Sequence, residues 1–318
     1  MRLDIYMAQE LQTSRSQSAI FIKKNGITIN KELVFKPSFL VGTDDEITYT
    51  VPEVKEAVKE EYIPNLDFDV DIIYEDDELL VVNKPPHLVV HPAPSVKEPT
   101  LVDWLKSKNI KLSNINNEVR SGIVHRIDKQ TSGALIVAKT NSAHEFLSAQ
   151  LQDKSMGRYY IAMLDLPLKE DTVVESYLAR NLKNRLKVSS NKKEVKNSRY
   201  AKSAFTKLLL SKDEKKELIA AKLFTGRTHQ IRAHLESLAR HILGDELYGF
   251  KSKISKINPQ RVMLHAYLLY FIHPKTKEQV LVKAPILNDF SAILNKNFGI
   301  GSTSEILKSS NIINSFNL

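Results

Sequence analysis

Ser121-Gly-Ile-Val-His-Arg-Ile-Asp-Lys-Gln-Thr-Ser-Gly-Ala-Leu-Ile-Val-Ala-Lys139 is the stretch on which the fold turns. Ala134 to Ala138 form a short apolar run, rich in β-branched residues, of the kind that makes a buried strand. Just before it, His125, Arg126, Asp128 and Lys129 crowd into five positions, and Thr131-Ser132-Gly133 closes the segment. A charged, Gly-terminated loop feeding a buried strand is where a rigid scaffold presents chemistry. A solvated charged connection is the alternative, and local spacing does not choose between the two.

Working outward, the chain of 318 residues is long enough for one large domain and one small one. Hydrophobic residues at 42% and charged residues at 26% are ordinary for a globular protein. The 46 Lys and Arg outnumber the 37 Asp and Glu, giving a formal charge of +9 and a pI near 9.3. That surplus points to an anionic partner, nucleic acid first. It is concentrated: residues 183–207 hold nine Lys or Arg against the single acid Glu194. A phosphate backbone asks for such a segment. With no cysteine, disulfides and thiolate metal sites are excluded. The first residues lack a signal-peptide core and no apolar run reaches membrane-spanning length, so a cytoplasmic protein is expected.

Residues 1–52 read as a small helix-and-strand module. Ser14 and Gln17 stand in capping-box relation, Gly26 is placed to end that helix, and Ile27–Asn30 and Glu46–Val51 alternate like strands. Residues 53–69 read as a charged linker. Asp71–Pro85 reads as a hairpin around an acidic turn, and prolines 85, 86, 92, 94 and 99 impose an extended path before a helix at Leu101–Leu105. Ser142 and Glu145 form a second capping box, with Ala143, Phe146, Leu147 and Leu151 on one helical face. Arg158–Leu164, Leu218–Phe224, Leu264–His273 and Gln279–Ala284 are strands, whereas 183–207 reads as surface. Residues 70–298 therefore make one catalytic-sized domain, and the Ser- and Asn-rich residues 299–318 read as a flexible tail.

Asp128, between the cations Arg126 and Lys129, suits a nucleophile or electrostatic partner. Gly226-Arg-Thr-His-Gln-Ile-Arg232 lies at a strand-to-helix junction, where free backbone donors and Arg227 could seat a phosphate. Arg232, beside the apolar helix face, needs an anionic partner; Asp128 is the first choice and another acid the alternative. His87, His91, His125, His229 and His234 lack metal-ligand spacing and read as structural.

Two resemblances rest on these residues. Arg2-Leu-Asp, Ser14-Arg-Ser16, Gly26-x-Ile-x-Ile-Asn30 and Lys36-Pro-Ser38 resemble the S-four-like RNA-binding module, with Lys31 where a Gly is customary. Val82-Asn-Lys-Pro85, Val89-Val-His-Pro92, Gly122 to Gly133, Tyr160-x-Ala162, Thr225 to Arg232, Ile242-Leu-Gly-Asp245 and Leu264-His-Ala266 resemble, in order, the RluA-type pseudouridine synthases, most of all their RluD branch. His87 stands where a Gly is common, and Ala239-Arg-His241 replaces the usual Gly-His-Pro.

The resemblance implies an α+β fold: a central, largely antiparallel mixed sheet flanked by helices, plus the small N-terminal α+β module. It implies a cofactor-free and metal-free isomerase that detaches uracil from ribose, turns it and reattaches it through carbon five. Asp128 then matches the catalytic aspartate, as nucleophile or base, Arg232 the arginine that orients it, and Tyr160 the pocket tyrosine. Arg126 matches the side chain that enters the stack when a uridine flips out, and Arg227 a phosphate contact. Arg2, Arg15, Lys23 and Lys24 are the module's candidate RNA contacts. Large-subunit ribosomal RNA is the substrate implied, with transfer RNA the alternative. A non-catalytic RNA-binding assembly factor is a reading of a different class.

Overall fold

The computed structural model describes residues 1–11, 13, 15–50, 66–93, 96–115, 120–252 and 259–316. The chain divides into two units, Met1–Tyr62 and Ile63–Leu318.

In the first unit, helices α1 (Leu3–Glu10) and α2 (Arg15–Asn25) precede strands β1 (Ile27–Ile29), β2 (Glu32–Val34) and β3 (Ile47–Thr48), ordered β2-β1-β3. Leu3, Met7, Ile22, Ile27, Ile29 and Val41 fill its core. The capping box expected at Ser14 lies outside the described residues. Gly26 ends α2 with φ +72°, where a Cβ would stand 2.8 Å from the Leu33 side chain. Asn30 and Lys31 turn the β1–β2 hairpin with φ of 49° and 72°, as the favoured two-residue turn requires. Lys31, where the resemblance expects a glycine, thus adopts a left-handed conformation that glycine enters freely.

The second unit begins with β4 (Asp71–Glu75), β5 (Leu79–Lys84), α3 (Leu101–Ser107), β6 (Ser132–Ala138), α4 (Asn141–Asp153) and β7 (Gly157–Leu164). There follow β8 (Thr172–Arg180), β9 (Val188–Asn191), β10 (Arg199–Leu210), β11 (Glu217–Leu223), α5 (Gln230–Ser237), β12 (Leu264–Ile272) and β13 (Gln279–Lys283). Helices α6 (Asn288–Phe298), α7 (Ile300–Ile306) and α8 (Ser309–Asn314) complete it. The strands form one sheet of ten, ordered β4-β5-β6-β12-β7-β11-β10-β8-β9, with β13 also on β12. Every pairing is antiparallel except β6 with β12.

β6 is buried along its whole length because it serves two cores. Leu135 and Val137 face the larger one, and Ala134, Ile136 and Ala138 the smaller one on the other side of the sheet. A strand covered on both faces reads as an unbroken apolar run. Where β6 meets β12, Gly133 has φ +112°, and a Cβ there would stand 2.2 Å from the Ala266 carbonyl oxygen. Only glycine lets the two backbones pair there.

Four expectations are corrected. Helix α4 is capped by Thr140, whose hydroxyl accepts from the Ala143 N–H at 3.1 Å, not by Ser142. Of the expected linker, residues 66–69 belong to the second unit: Leu66 and Phe68 pack on its core and Asp69 accepts from the Trp104 indole. The basic segment is not all surface, since β10 buries Ala201, Ser203, Ala204 and Phe205. The flexible tail is instead α7 and α8, where Leu307, Ile312 and Phe316 are buried against the core and the Tyr267 hydroxyl donates to the Leu307 carbonyl.

Candidate active site

β12 brings the two halves of the site together. Its Ala266 pairs with Gly133 on one side and Tyr160 on the other, so the loop ending in β6 lies beside the strand carrying Tyr160. That loop is clasped at both ends. At its start Gly122, with φ +70°, tucks against β6, donating to Ser113 and accepting from Ala138. At its end Ser132 bonds His265 at 2.8 Å and Arg261 at 3.0 Å, and Arg261 is held in turn by Asp289.

A third clasp was not foreseen. Lys84 is fully buried, and its ammonium donates to the carbonyls of Pro85, Leu88 and Lys129 at 2.6, 2.9 and 3.2 Å. Burial pulls its pKa down to about 7, with the Asp128 charge opposing that fall. A buried cation is thus fastened to the backbone one residue past Asp128.

The contact on which the sequence reading depended is present. Arg232 Nη1 lies 3.3 Å from Asp128 Oδ2. Yet Asp128 is not the main partner. Asp245 takes the same guanidinium with both oxygens, from Nε at 2.7 Å and Nη2 at 2.8 Å, and is almost wholly buried. Burial opposes the charge on Arg232, but the Asp245 bonds, its field and then that of Asp128 prevail and hold the pKa above its ordinary value. The Tyr248 ring covers the guanidinium at 4.7 Å. Asp245 stood inside a motif quoted from the sequence, and an unassigned acid thirteen residues past Arg232 was the signal for it.

Asp128 itself keeps partial exposure and lines three adjoining hollows of the second unit. In the first of these stand Tyr160, Arg158, Arg126, Arg227, His229 and Arg232. It encloses about 760 Å³ including its open mouth. Tyr160 is buried, which raises its pKa despite the nearby Arg158, so its hydroxyl keeps its proton at neutral pH. His229, left-handed at φ 54°, begins α5; its Nε2 lies 3.9 Å from Asp128 and its Nδ1 bonds the Tyr248 hydroxyl at 3.0 Å. Burial lowers its pKa, so the ring is largely neutral at physiological pH.

Arg126 is exposed at the rim, within 3.4 Å of His91. Arg227 is also exposed, its Nε donating to the Tyr200 carbonyl. The phosphate seat loses one expected donor, because the Arg227 N–H is taken by the Gln230 side chain at 3.0 Å. In the first unit, Arg2 and Arg15 converge on the buried Asp4, whose pKa falls to about 2 chiefly through its bonds to Arg2. Lys23 and Lys24 are exposed in the last turn of α2, where the helix dipole also favours cations.

Comparison with known proteins now bears on this geometry. Residues 78–237 match the model of the RNA pseudouridylate synthase family. The chain belongs to that family. Residues 1–47 match the S4 domain. An uncharacterized RNA pseudouridine synthase of Helicobacter pylori strain J99 is 50% identical, over 99% of this chain and 95% of the relative. The ribosomal large subunit pseudouridine synthase D of Zymomonas mobilis is 36% identical, over 92% of each. Among solved structures, human RNA pseudouridylate synthase domain containing 1 matches with a TM-score of 0.57 at 24% identity, over 70% of this chain and 87% of that one. The synthase is an isomerase with an RNA substrate and an α+β fold, as the resemblance implied. No helix among its described residues is long and apolar enough to cross a membrane.

Proposed function

We propose that this synthase converts uridines of large-subunit ribosomal RNA to pseudouridine in the cytoplasm, with Asp128 as the group that acts on the ribose. The observation that carries the site is the Asp128 carboxylate at an open cleft, hydrogen-bonded by an arginine that Asp245 has already fixed. A carboxylate so placed can attack the anomeric carbon or remove the neighbouring C2′ proton; both uses need an anion aimed by a rigid donor. Arg232 is the orienting group. Its planar fork serves two carboxylates at once, which a lysine ammonium cannot imitate.

Tyr160 presents a ring for the base to lie on and a protonated hydroxyl within the same cleft. The target uridine must leave its stack to reach Asp128, at a cost of about a few kcal/mol, least in loops and bulges. Arg126, exposed at the rim beside His91, is suited to fill the vacated space, and Arg227 to meet phosphate. Arg2, Arg15, Lys23 and Lys24 add a further cationic surface, where the first two are pre-oriented by Asp4. The choice of ribosomal RNA is supported by the large-subunit names among the relatives together with the N-terminal module.

The test is a pseudouridine map of ribosomal and transfer RNA from a strain lacking the protein, complemented with wild type or with Asp128→Ala. Large-subunit positions should vanish in the deletion and return only with wild type. Sites confined to transfer RNA would move the substrate, and restoration by Asp128→Ala would overturn the role of Asp128.

A further inference from the structure

Arg158 is a buried cation without an anion. Its residue exposure is 8%, yet among the described residues its guanidinium makes no hydrogen bond and no ion pair, and its Nε is sealed from solvent with no acceptor. It lines the cleft that holds Asp128 and Tyr160. A charge desolvated without a partner is costly, and such a group in a reaction cleft calls for an explanation, a catalytic role among them. We infer that Arg158 is a catalytic residue of this synthase, binding the carbonyl oxygens of the flipped uracil and taking up the negative charge of the ring once it parts from ribose.

The inference rests on the reaction proposed above, and its chemistry holds for either use of Asp128. The C1′–N1 bond breaks and its electron pair leaves on the ring, spread over N1 and the two carbonyl oxygens. Carbon five then bonds to C1′, the C5 proton departs and N1 gains one, so the product is an isomer of the substrate. Asp128 stands on the ribose side of this exchange and Arg232 is committed to two carboxylates, so neither neutralises the departing ring. Arg158 has donors to spare.

Position selects the base over a phosphate. Arg158 and Tyr160 are two residues apart on β7 and therefore project from the same face of the sheet. Both are buried, whereas Arg126 and Arg227 of the same cleft are exposed. A flipped nucleotide enters base first, because its backbone continues into the strand on both sides. The floor meets uracil and the rim meets phosphate. Gly226 makes the room: a Cβ there would stand 2.6 Å from Arg158 Nη1. Burial also lowers the Arg158 pKa, as expected of a charge awaiting its counterpart.

The experiment measures tritium release from total RNA of the deletion strain, labelled at uracil C5, with wild type, Arg158→Met and Arg158→Lys. Arg158→Met should lower kcat by about 10²–10³-fold, as loss of a preorganised charge-stabilising donor does, with KM and its salt dependence within about twofold of wild type. It should melt no lower than wild type, since no partner is orphaned, and Arg158→Lys should recover part of the rate. An unchanged kcat would overturn the inference. So would a raised KM with a salt slope shallower by about 0.7–0.9, which would make Arg158 a phosphate contact. A lower melting temperature with no rescue by Arg158→Lys would make it a packing residue and overturn it equally. Failure of wild type to release tritium would instead overturn the proposed function, and this inference with it.

Discussion

Asp245 holds Arg232 through two hydrogen bonds of 2.7 and 2.8 Å, while Asp128 accepts a longer one of 3.3 Å from the same guanidinium. The two acids therefore play unequal parts. Asp245 fixes the arginine, and Asp128 is aimed by it. Replacing Asp245 by Ala leaves a buried guanidinium short of its main anion and should cost about 3–5 kcal/mol, the range for breaking a buried pair. Asp128→Ala leaves that pair intact and should cost under about 1 kcal/mol. Urea unfolding of both variants measures the contrast, and equal losses would contradict the division of labour.

Buried neutral histidines set an acid limit. Burial lowers His234 and His265 to about 4 and His125 to about 3. Each has its folded pKa below the unfolded value of 6.5, so the unfolded chain binds more protons between the two. The stability they contribute is complete above pH 6.5 and is lost as pH falls through about 4. His234→Gln, which can still reach Ser176 and Ser203, should flatten this slope by up to about 3 kcal/mol, since each tenfold difference in proton affinity between the folded and unfolded chain is worth about 1.36 kcal/mol. Denaturant unfolding at pH 7.5, 5.5 and 4.5 checks it, and parallel profiles would refute it.

The three departures from the resembling families' glycine pattern share one property. Lys31, His87 and Ala239, which stand where the resemblance expects glycine, have φ of 72°, 66° and 54°, the left-handed region that glycine enters most readily. An L-residue there pays about 1–2 kcal/mol, offset partly by the lower entropy of its unfolded chain. Ala239 is exposed and carries only a methyl group. Ala239→Gly should therefore raise stability by about 0.5–1 kcal/mol without changing activity. A thermal melt that falls would show that the loop had adapted to alanine.

The C-terminal helices should matter for the site as well as for the fold. Phe316 packs on Tyr159 with ring centroids 5.5 Å apart, and Tyr159 adjoins both Arg158 and Tyr160 in β7. Ile312→Ala, at a fully buried position, should cost about 2–5 kcal/mol. Truncation after Gly299 should lower both melting temperature and turnover. Full activity of the truncated protein would detach the tail from the site.

What the sequence made legible was what is local. β6 announced itself because both of its faces are covered, and the loop before it because charge is rare beside such a strand. The tail misled because its Ser and Asn content outweighed the spacing of Leu307, Ile312 and Phe316, whose partners lie elsewhere in the chain. Asp245 and Arg158 escaped for the same reason. An acid's partner and a cation's lack of one are facts of three dimensions. The α4 cap slipped by two residues because Thr140 and Ser142 are both good caps, and only backbone geometry chooses.

The insertion of β12 between β6 and β7 has a consequence for synthesis. Asp128 lies just before β6, while Arg158 and Tyr160 lie on β7, and the strand that joins them begins only at Leu264. As the nascent chain emerges, β6 can pair with β5, and β7 with β11, but the two partial sheets stay unjoined until β12 follows. Long-range pairing of this kind is slow, and the waiting edges invite other strands. The site is therefore incomplete until β12 has been made and has paired with both, although Asp128, Arg158 and Tyr160 all precede it in the chain.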